Sequence, residues 1–170
     1  QELPTKMNLR QIMDSIVQRI SGTMHVERIA VLVRDESGGL QTSAKNIAPA
    51  DLTSSEIDAG LLRLSASHRR PLSLTFLGDE HDTATLTAAE RELIRRSGVV
   101  LSVPMIIQDR LVGCIVAGEK LSGKIYSQDD TDLLSTVAGQ AAIAIENAGL
   151  HASEVERQRM EEELSMARRI

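Results

Sequence analysis

Few side chains in this sequence can do covalent or metal chemistry. Cys114 is the one cysteine among 170 residues, so neither an intramolecular disulfide nor a cysteine-cluster zinc site can form. It stands between Val112 and Val116 in an apolar run, where a buried, inert thiol is expected. Of four histidines, His68 continues the spacing of Ile57, Leu61 and Leu64, and so falls on the apolar face of a helix near its C-terminal end. The helix dipole favours an imidazole there with no ligand at all. His81 lies in the polar, acidic stretch Gly78 to Thr85, where solvent exposure is expected. No His–His or His–Cys spacing suggests a metal site. Asp129 and Asp130 follow Ser127 at the start of a long helical pattern, where a hydroxyl cap and first-turn carboxylates serve the helix itself.

Composition removes further classes. The net charge is −5, from 19 Lys+Arg against 24 Asp+Glu, with no basic block to follow a phosphate backbone. Phe76 and Tyr126 are the only aromatic residues, too few for a base-stacking platform, so no nucleic-acid partner is expected. No apolar run approaches the roughly 20 residues of a membrane helix. The single cysteine and the absence of a signal peptide fit a cytoplasmic location. The chain opens Gln1-Glu2-Leu3-Pro4 without a methionine, as an excised piece of a longer protein would.

The elements that must position these residues follow from periodicity. From Asn8 to Met24, Leu9, Ile12, Met13, Ile16, Val17 and Ile20 form one helical stripe, with Gly22 where the helix is expected to end. Ile29 to Val33 is a strand apolar on both faces, and Leu40 to Ala44 a more exposed return across the turn Asp35 to Gly39. Thr53-Ser54-Ser55-Glu56 and Thr87-Ala88-Ala89-Glu90 are capping boxes opening two helices, the first stopped by Pro71 and the second reaching about Arg96 before Gly98. Leu72 to Leu74 fits a short edge strand. Val99 to Ile107 is a strand with Val99, Leu101, Val103 and Met105 on one face and Val100, Ser102 and Pro104 on the other. Pro104 requires a bulge or an edge position. Gln108-Asp109-Arg110 turns the chain and Leu111 to Gly118 pairs back as a hairpin. In the last helix, Leu133, Leu134, Val137, Ala138, Ala141, Ala142 and Ile145 form a broad apolar face, and after His151 only Val155, Met160, Leu164 and Ala167 remain apolar at the seam. The pattern predicts one continuous helix whose first half packs on the domain and whose second half leaves it. Met160, Leu164 and Ala167 step by four and three, as in a coiled coil, while the five-step from Val155 breaks the heptad.

Hairpin pairs alternating with helices predict an antiparallel sheet in an α+β domain. Val99 to Leu150 carries a specific combination: Val100-Leu101-Ser102-Val103-Pro104-Met105, then Asp109-Arg110-Leu111-Val112-Gly113-Cys114-Ile115, then Tyr126-Ser127-Gln128-Asp129-Asp130, and Gln140-Ala141-Ala142-Ile143-Ala144-Ile145-Glu146-Asn147-Ala148. In this it resembles a GAF domain, with the domain spanning residues 8–150 and a helical signalling linker over 151–170. The resemblance implies a central antiparallel sheet with the terminal helices on one face. Helices and loops between residues 45 and 98 would cover the other face and enclose a small-molecule pocket.

On that arrangement His68, Phe76, His81 and inward-facing Ser102 are the candidate ligand-binding residues, His68 being the best placed for haem. No cofactor is identified. A cyclic-nucleotide-binding variant would carry an Asn-Lys pair followed by Phe, three residues and Asp-Glu; here Glu119-Lys120, Ile125 or Tyr126, and Asp129-Asp130 stand at those places. The cysteine-based reductase of the family needs several cysteines, and its bilin-bearing members attach the chromophore from the helical or loop side of the pocket. Cys114 lies in a central strand, so a regulatory module and not an enzyme is expected. Ile16, Ile20, Val137, Ala141, Ile145, Val155, Met160 and Leu164 are the candidate dimer and signalling positions, because symmetric pairing would bury a sparse seam. Glu161 to Ile170 is similar to the linker entering a SpoIIE-like, PPM-family serine phosphatase, which makes such an effector the expected C-terminal partner; histidine-kinase and diguanylate-cyclase linkers read similarly. A ligand-free structural dimerisation module and a cyclic-nucleotide-binding GAF domain are the alternatives.

Overall fold

The structure, a computed structural model, describes residues 8–34, 40–47, 55–75 and 86–168, without the side chains of 55–59, 150–155 and 168. Helix α1 (Leu9–Met24) begins where Asn8 accepts the Gln11 amide at 2.9 Å and Gln11 returns a bond to the Asn8 amide at 3.0 Å. Its stripe, Met13, Ile16, Val17, Ile20 and Met24, is buried. Because Met24 belongs to that stripe, the helix runs through Gly22 and ends at His25, which takes the left-handed conformation with φ 53°.

Five strands form one antiparallel sheet in the order β2-β1-β5-β4-β3. Strand β1 (Ile29–Arg34) pairs with β2 (Leu40–Lys45) and β5 (Arg110–Ala117), and Ile29 to Val33 are fully buried. Both faces are covered, as the unbroken β-branched run predicted. Ile29, Val31 and Val33 face one core, Ala30 and Leu32 the other. Strand β4 (Leu101–Ile107) pairs with β5 through a two-residue turn, Gln108–Asp109, whose φ angles of 49° and 64° fit the right-handed twist of a tight hairpin. Strand β3 (Leu72–Ser73) borders only Leu101 and Ser102, so Pro104 lies where β4 has no paired neighbour on that side. The bulge is on β5: Val112 is passed over between Gly113 and Leu111, which turns it towards the same core as Ile115. Val99 precedes the strand and falls in the opposite core from Leu101, correcting its expected face.

Helices α1 and α4 (Gln128–Arg168) cover one face of the sheet. Helices α2 (Ser55–His68) and α3 (Ala88–Ser97) cover the other. Thr87 and Glu90 make the predicted capping box of α3, and Gly98 (φ 78°) closes the helix with its amide on the Arg95 carbonyl. The Thr53–Glu56 box opening α2 falls outside the described residues. Helix α4 is 41 residues long and unbroken, or about 60 Å at ~1.5 Å per residue.

Candidate ligand and signalling sites

The α2 face of the sheet was the expected pocket. Leu61, Leu62 and Leu64 of α2 are fully buried against Ala30, Leu32, Cys114 and Val116. Burying each leucine is worth about 1.5–3 kcal/mol, so this contact holds α2 down. One turn on, Ser65 and Ser102, 3% and 2% exposed, hydrogen bond to each other at 3.1 Å. Ser102 therefore faces the expected side of the sheet but spends its hydroxyl on α2. His68 is half-buried with Nδ1 3.1 Å from the Leu64 carbonyl oxygen, a contact that fits a proton on Nδ1. Phe76 and His81 lie outside the described residues. Neither His68 nor Ser102 lines any of the three clefts described here, of about 580, 330 and 290 Å³. Among the described residues no three His, Cys, Asp or Glu side chains cluster as metal ligands would.

Helices α2 and α3 are pinned together by a pair the sequence did not reveal. Arg63 donates to both oxygens of Glu90, at 2.5 and 2.6 Å, and the Thr87 amide donates to Glu90 Oε2 at 2.9 Å. Burial of Glu90, 7% exposed, pushes its carboxyl towards protonation. The Arg63 hydrogen bonds, the Thr87 amide and the Arg63 charge outweigh that and hold its pKa below 4.5. Glu90 was legible as a capping residue, but nothing in the spacing linked it to Arg63.

The root of α4 closes on itself. Lys120 Nζ donates to Asp130 Oδ2 at 2.8 Å, the Ser127 amide donates to the same oxygen at 2.9 Å, and Ser127 Oγ accepts the Asp130 amide at 3.1 Å. The Lys120 hydrogen bond, followed by the Ser127 contacts, holds the Asp130 carboxyl below its ordinary 3.8 against the opposing effect of burial. Tyr126 Oη donates to the Gly118 carbonyl at 2.6 Å. Burial and, secondarily, the Asp130 charge raise the phenol well above its usual range, so it stays a neutral donor. Of the residues at the nucleotide-motif places, Lys120, Tyr126 and Asp130 thus anchor the start of α4 and tie it to the end of β5.

The candidate signalling positions divide. Ile16, Ile20, Ala141 and Ile145 are 9%, 2%, 4% and 5% exposed, inside the core that α1 and α4 share with the sheet. Their apolar surface packs against the chain's own sheet and helices. Val137 is half-buried and lines a groove of about 290 Å³ between α1 and α4, beside Leu133, Thr136 and Gln140. Met160 and Leu164 are exposed, as is Met166; the Val155 side chain is not described. On this outer stretch Glu156 pairs with Arg159 at 2.8 Å and Arg157 with Glu161 at 3.0 Å. Such three- and four-residue pairs support a solvated helix by a few tenths of a kcal/mol each. No described helix is long and apolar enough to cross a membrane.

The sheet is five-stranded and antiparallel, with the terminal helices on one face and two intervening helices on the other, a three-layered α+β architecture. The chain belongs to the GAF domain family, whose model, described as "GAF domain", matches residues 8–147. GAF domains are generally regulatory modules, not catalysts. No curated protein matches. Among solved structures, the GAF domain/HD domain protein from Geobacter sulfurreducens superposes with a TM-score of 0.61 at 18% identity, over 82% of this chain and 93% of that one. Residues 122 to 287 of a methyl-accepting chemotaxis protein give 0.64 at 14%, over 84% and 92%. The GAF domain of an Acinetobacter phosphoenolpyruvate-protein phosphotransferase gives 0.60 at 18%, over 88% and 89%. At these identities the likeness is one of fold.

Proposed function

We propose that this GAF domain is a cytoplasmic regulatory module that senses a small molecule or partner and passes its state through α4 to an attached effector, a SpoIIE-like serine phosphatase. The observation that carries the reading is α4 itself. It is one uninterrupted helix that starts at the Lys120–Asp130 root, packs along the sheet to Ile145, and continues as an exposed rod bearing Met160, Leu164 and Met166. Three exposed large apolar side chains on a helix without a core favour a second copy of the same helix, which would bury them in a homodimer. A ligand that prefers one position of the sheet would then bias the two exit helices.

Sedimentation of residues 1–170 against a form ending at Leu150 tests the reading. The longer chain is expected to dimerise and the shorter to weaken by an order of magnitude or more. Equal dimer affinity would remove α4 from the coupling role. The packed leucine layer and the Ser65–Ser102 bond favour a second reading, a structural dimerisation module without a ligand at His68 and Ser102. A visible spectrum and intact mass of gently purified protein separate the two, since a retained chromophore or metabolite is compatible only with the first.

A further inference from the structure

We propose that the 580 Å³ cleft at one end of the sheet is a binding site for a small organic anion, a carboxylate or phosphate monoester on an apolar body, anchored by Arg28. The cleft opens where β1 and β4 begin and β3 and β5 end, and its lining includes Glu27, Arg28, Leu74, Val99, Lys120 and Leu121. Its size suits a drug-sized or smaller molecule. It lies apart from His68 and Ser102, and the proposal stands whether or not α4 relays anything.

Three observations fix the chemistry. First, Arg28 is seated but unpaired. Its stem lies across two glycines: a Cβ at Gly98 would collide with Arg28 Nη1, and one at Gly118 would stand 2.9 Å from Arg28 Cβ. No side chain among the described residues pairs with its guanidinium, while the cleft's other cations are engaged, Arg95 with Glu92 and Lys120 with Asp130. A guanidinium held in place with its donors unspent is suited to a planar carboxylate or a phosphate oxygen pair. Second, Leu121 at the rim is 66% exposed although its amide is fixed to the His25 carbonyl at 3.0 Å. With Leu74 and Val99 it offers an apolar surface beside the cation, which a purely inorganic ion would leave wet. Third, the carboxylates of Glu27 and Glu119 also line the cleft and disfavour a polyanion, so one acidic group on an apolar body fits best.

Amide chemical-shift titration of residues 1–170 with benzoate, phenyl phosphate and neutral benzamide tests the site. Saturable shifts are expected at Arg28, Gly98, Gly118 and Leu121 with one or both anions, and the anion that binds tighter identifies the acidic group. Arg28→Gln should weaken binding roughly tenfold, and Leu121→Ser by a smaller factor; both replace exposed side chains. No saturation by about 10 mM, a Kd weaker than ~3 kcal/mol of binding would give, overturns the proposal. So does benzamide binding equal to the anions, or an affinity that Arg28→Gln and Leu121→Ser both leave unchanged.

Discussion

The root of α4 can be broken selectively at Asp130. Its carboxylate does two things at once: it pairs with Lys120 at 2.8 Å and completes a reciprocal cap with Ser127. Losing a cap of this kind costs about 1 kcal/mol. The two charged side chains are each 20% exposed, so the pair lies between a surface bridge worth ~0–1 kcal/mol and a buried one, and about 1 kcal/mol is a fair value. Asp130→Ala should therefore destabilise by ~2 kcal/mol, or about 4–8 °C for a chain of this size. Asp130→Asn keeps an acceptor for the Ser127 amide and loses only the charge, so about half that loss is expected. The pH dependence has a definite sign. The folded-state pKa lies below the ordinary 3.8, so the carboxylate's contribution is complete above that value and fades as pH falls through the folded-state pKa. Urea unfolding of wild type and Asp130→Asn should show the largest gap near neutrality and a shrinking gap below pH 3.8. A gap independent of pH, or no gap at neutral pH, would refute the electrostatic account of this cap.

Three further outcomes follow from the same geometry. Glu90→Ala loses the α3 capping bond and the Arg63 pair and should cost ~2 kcal/mol in urea unfolding at pH 7; because its folded-state pKa is below 4.5, the wild-type advantage should fade in acid below that value. Ser102→Ala strands the buried Ser65 hydroxyl and should cost about 1–2 kcal/mol, while the double variant Ser65→Ala/Ser102→Ala should recover most of it, since removing both partners leaves nothing unsatisfied. Glu146→Gln weakens a contact with Arg110 whose side chains are 26% and 60% exposed, and should lower the unfolding free energy from urea titration by less than ~1 kcal/mol.

Local signals fixed local structure well. The α1 stripe, the Thr87–Glu90 box, the hairpin and the position of Pro104 all depend on neighbours within a few residues; each is found where periodicity or turn chemistry puts it, except that Arg110, expected in the turn, already belongs to β5 and leaves a two-residue turn. What escaped depends on which elements cross. Periodicity says that Ile16, Ile20, Ala141 and Ile145 lie on apolar faces; it cannot say that the facing surface is the chain's own sheet and not a second copy. Arg63 and Glu90 are 27 residues apart and meet only because α2 and α3 share one face of the sheet. Arg28 sits between Glu27 and Ile29, the buried start of β1, and acquires its setting from Gly98 and Gly118, which arrive from other parts of the chain. The bulge at Val112 has no mark of its own, because Gly113 beside it fits an unbulged strand equally well.

The two helical layers lie on opposite faces of the sheet, so a change on the α2 side reaches α4 either through the sheet's packed interior or around its edge. The edge route runs through two side-chain hydrogen bonds on consecutive residues at one turn. Arg69, directly after α2 and itself in the left-handed conformation, donates to the Asp109 carbonyl in the β4–β5 turn, and the next residue, Arg110, pairs with Glu146 on α4. Both contacts are exposed hydrogen bonds of a kind that contributes little to stability, so stability alone gives no reason for the turn to be bracketed from both sides. The interior route runs through Ile115 on one face and Cys114 and Val116 on the other, adjacent residues of β5 that cannot move independently. The turn is tied to the end of α2 through Arg69 and to α4 through Arg110, so it alone of the two routes touches both layers by side-chain hydrogen bonds. If the exit helix reports on the α2 face, the turn at Gln108–Asp109 is therefore the element whose loss should uncouple the two while leaving the fold in place.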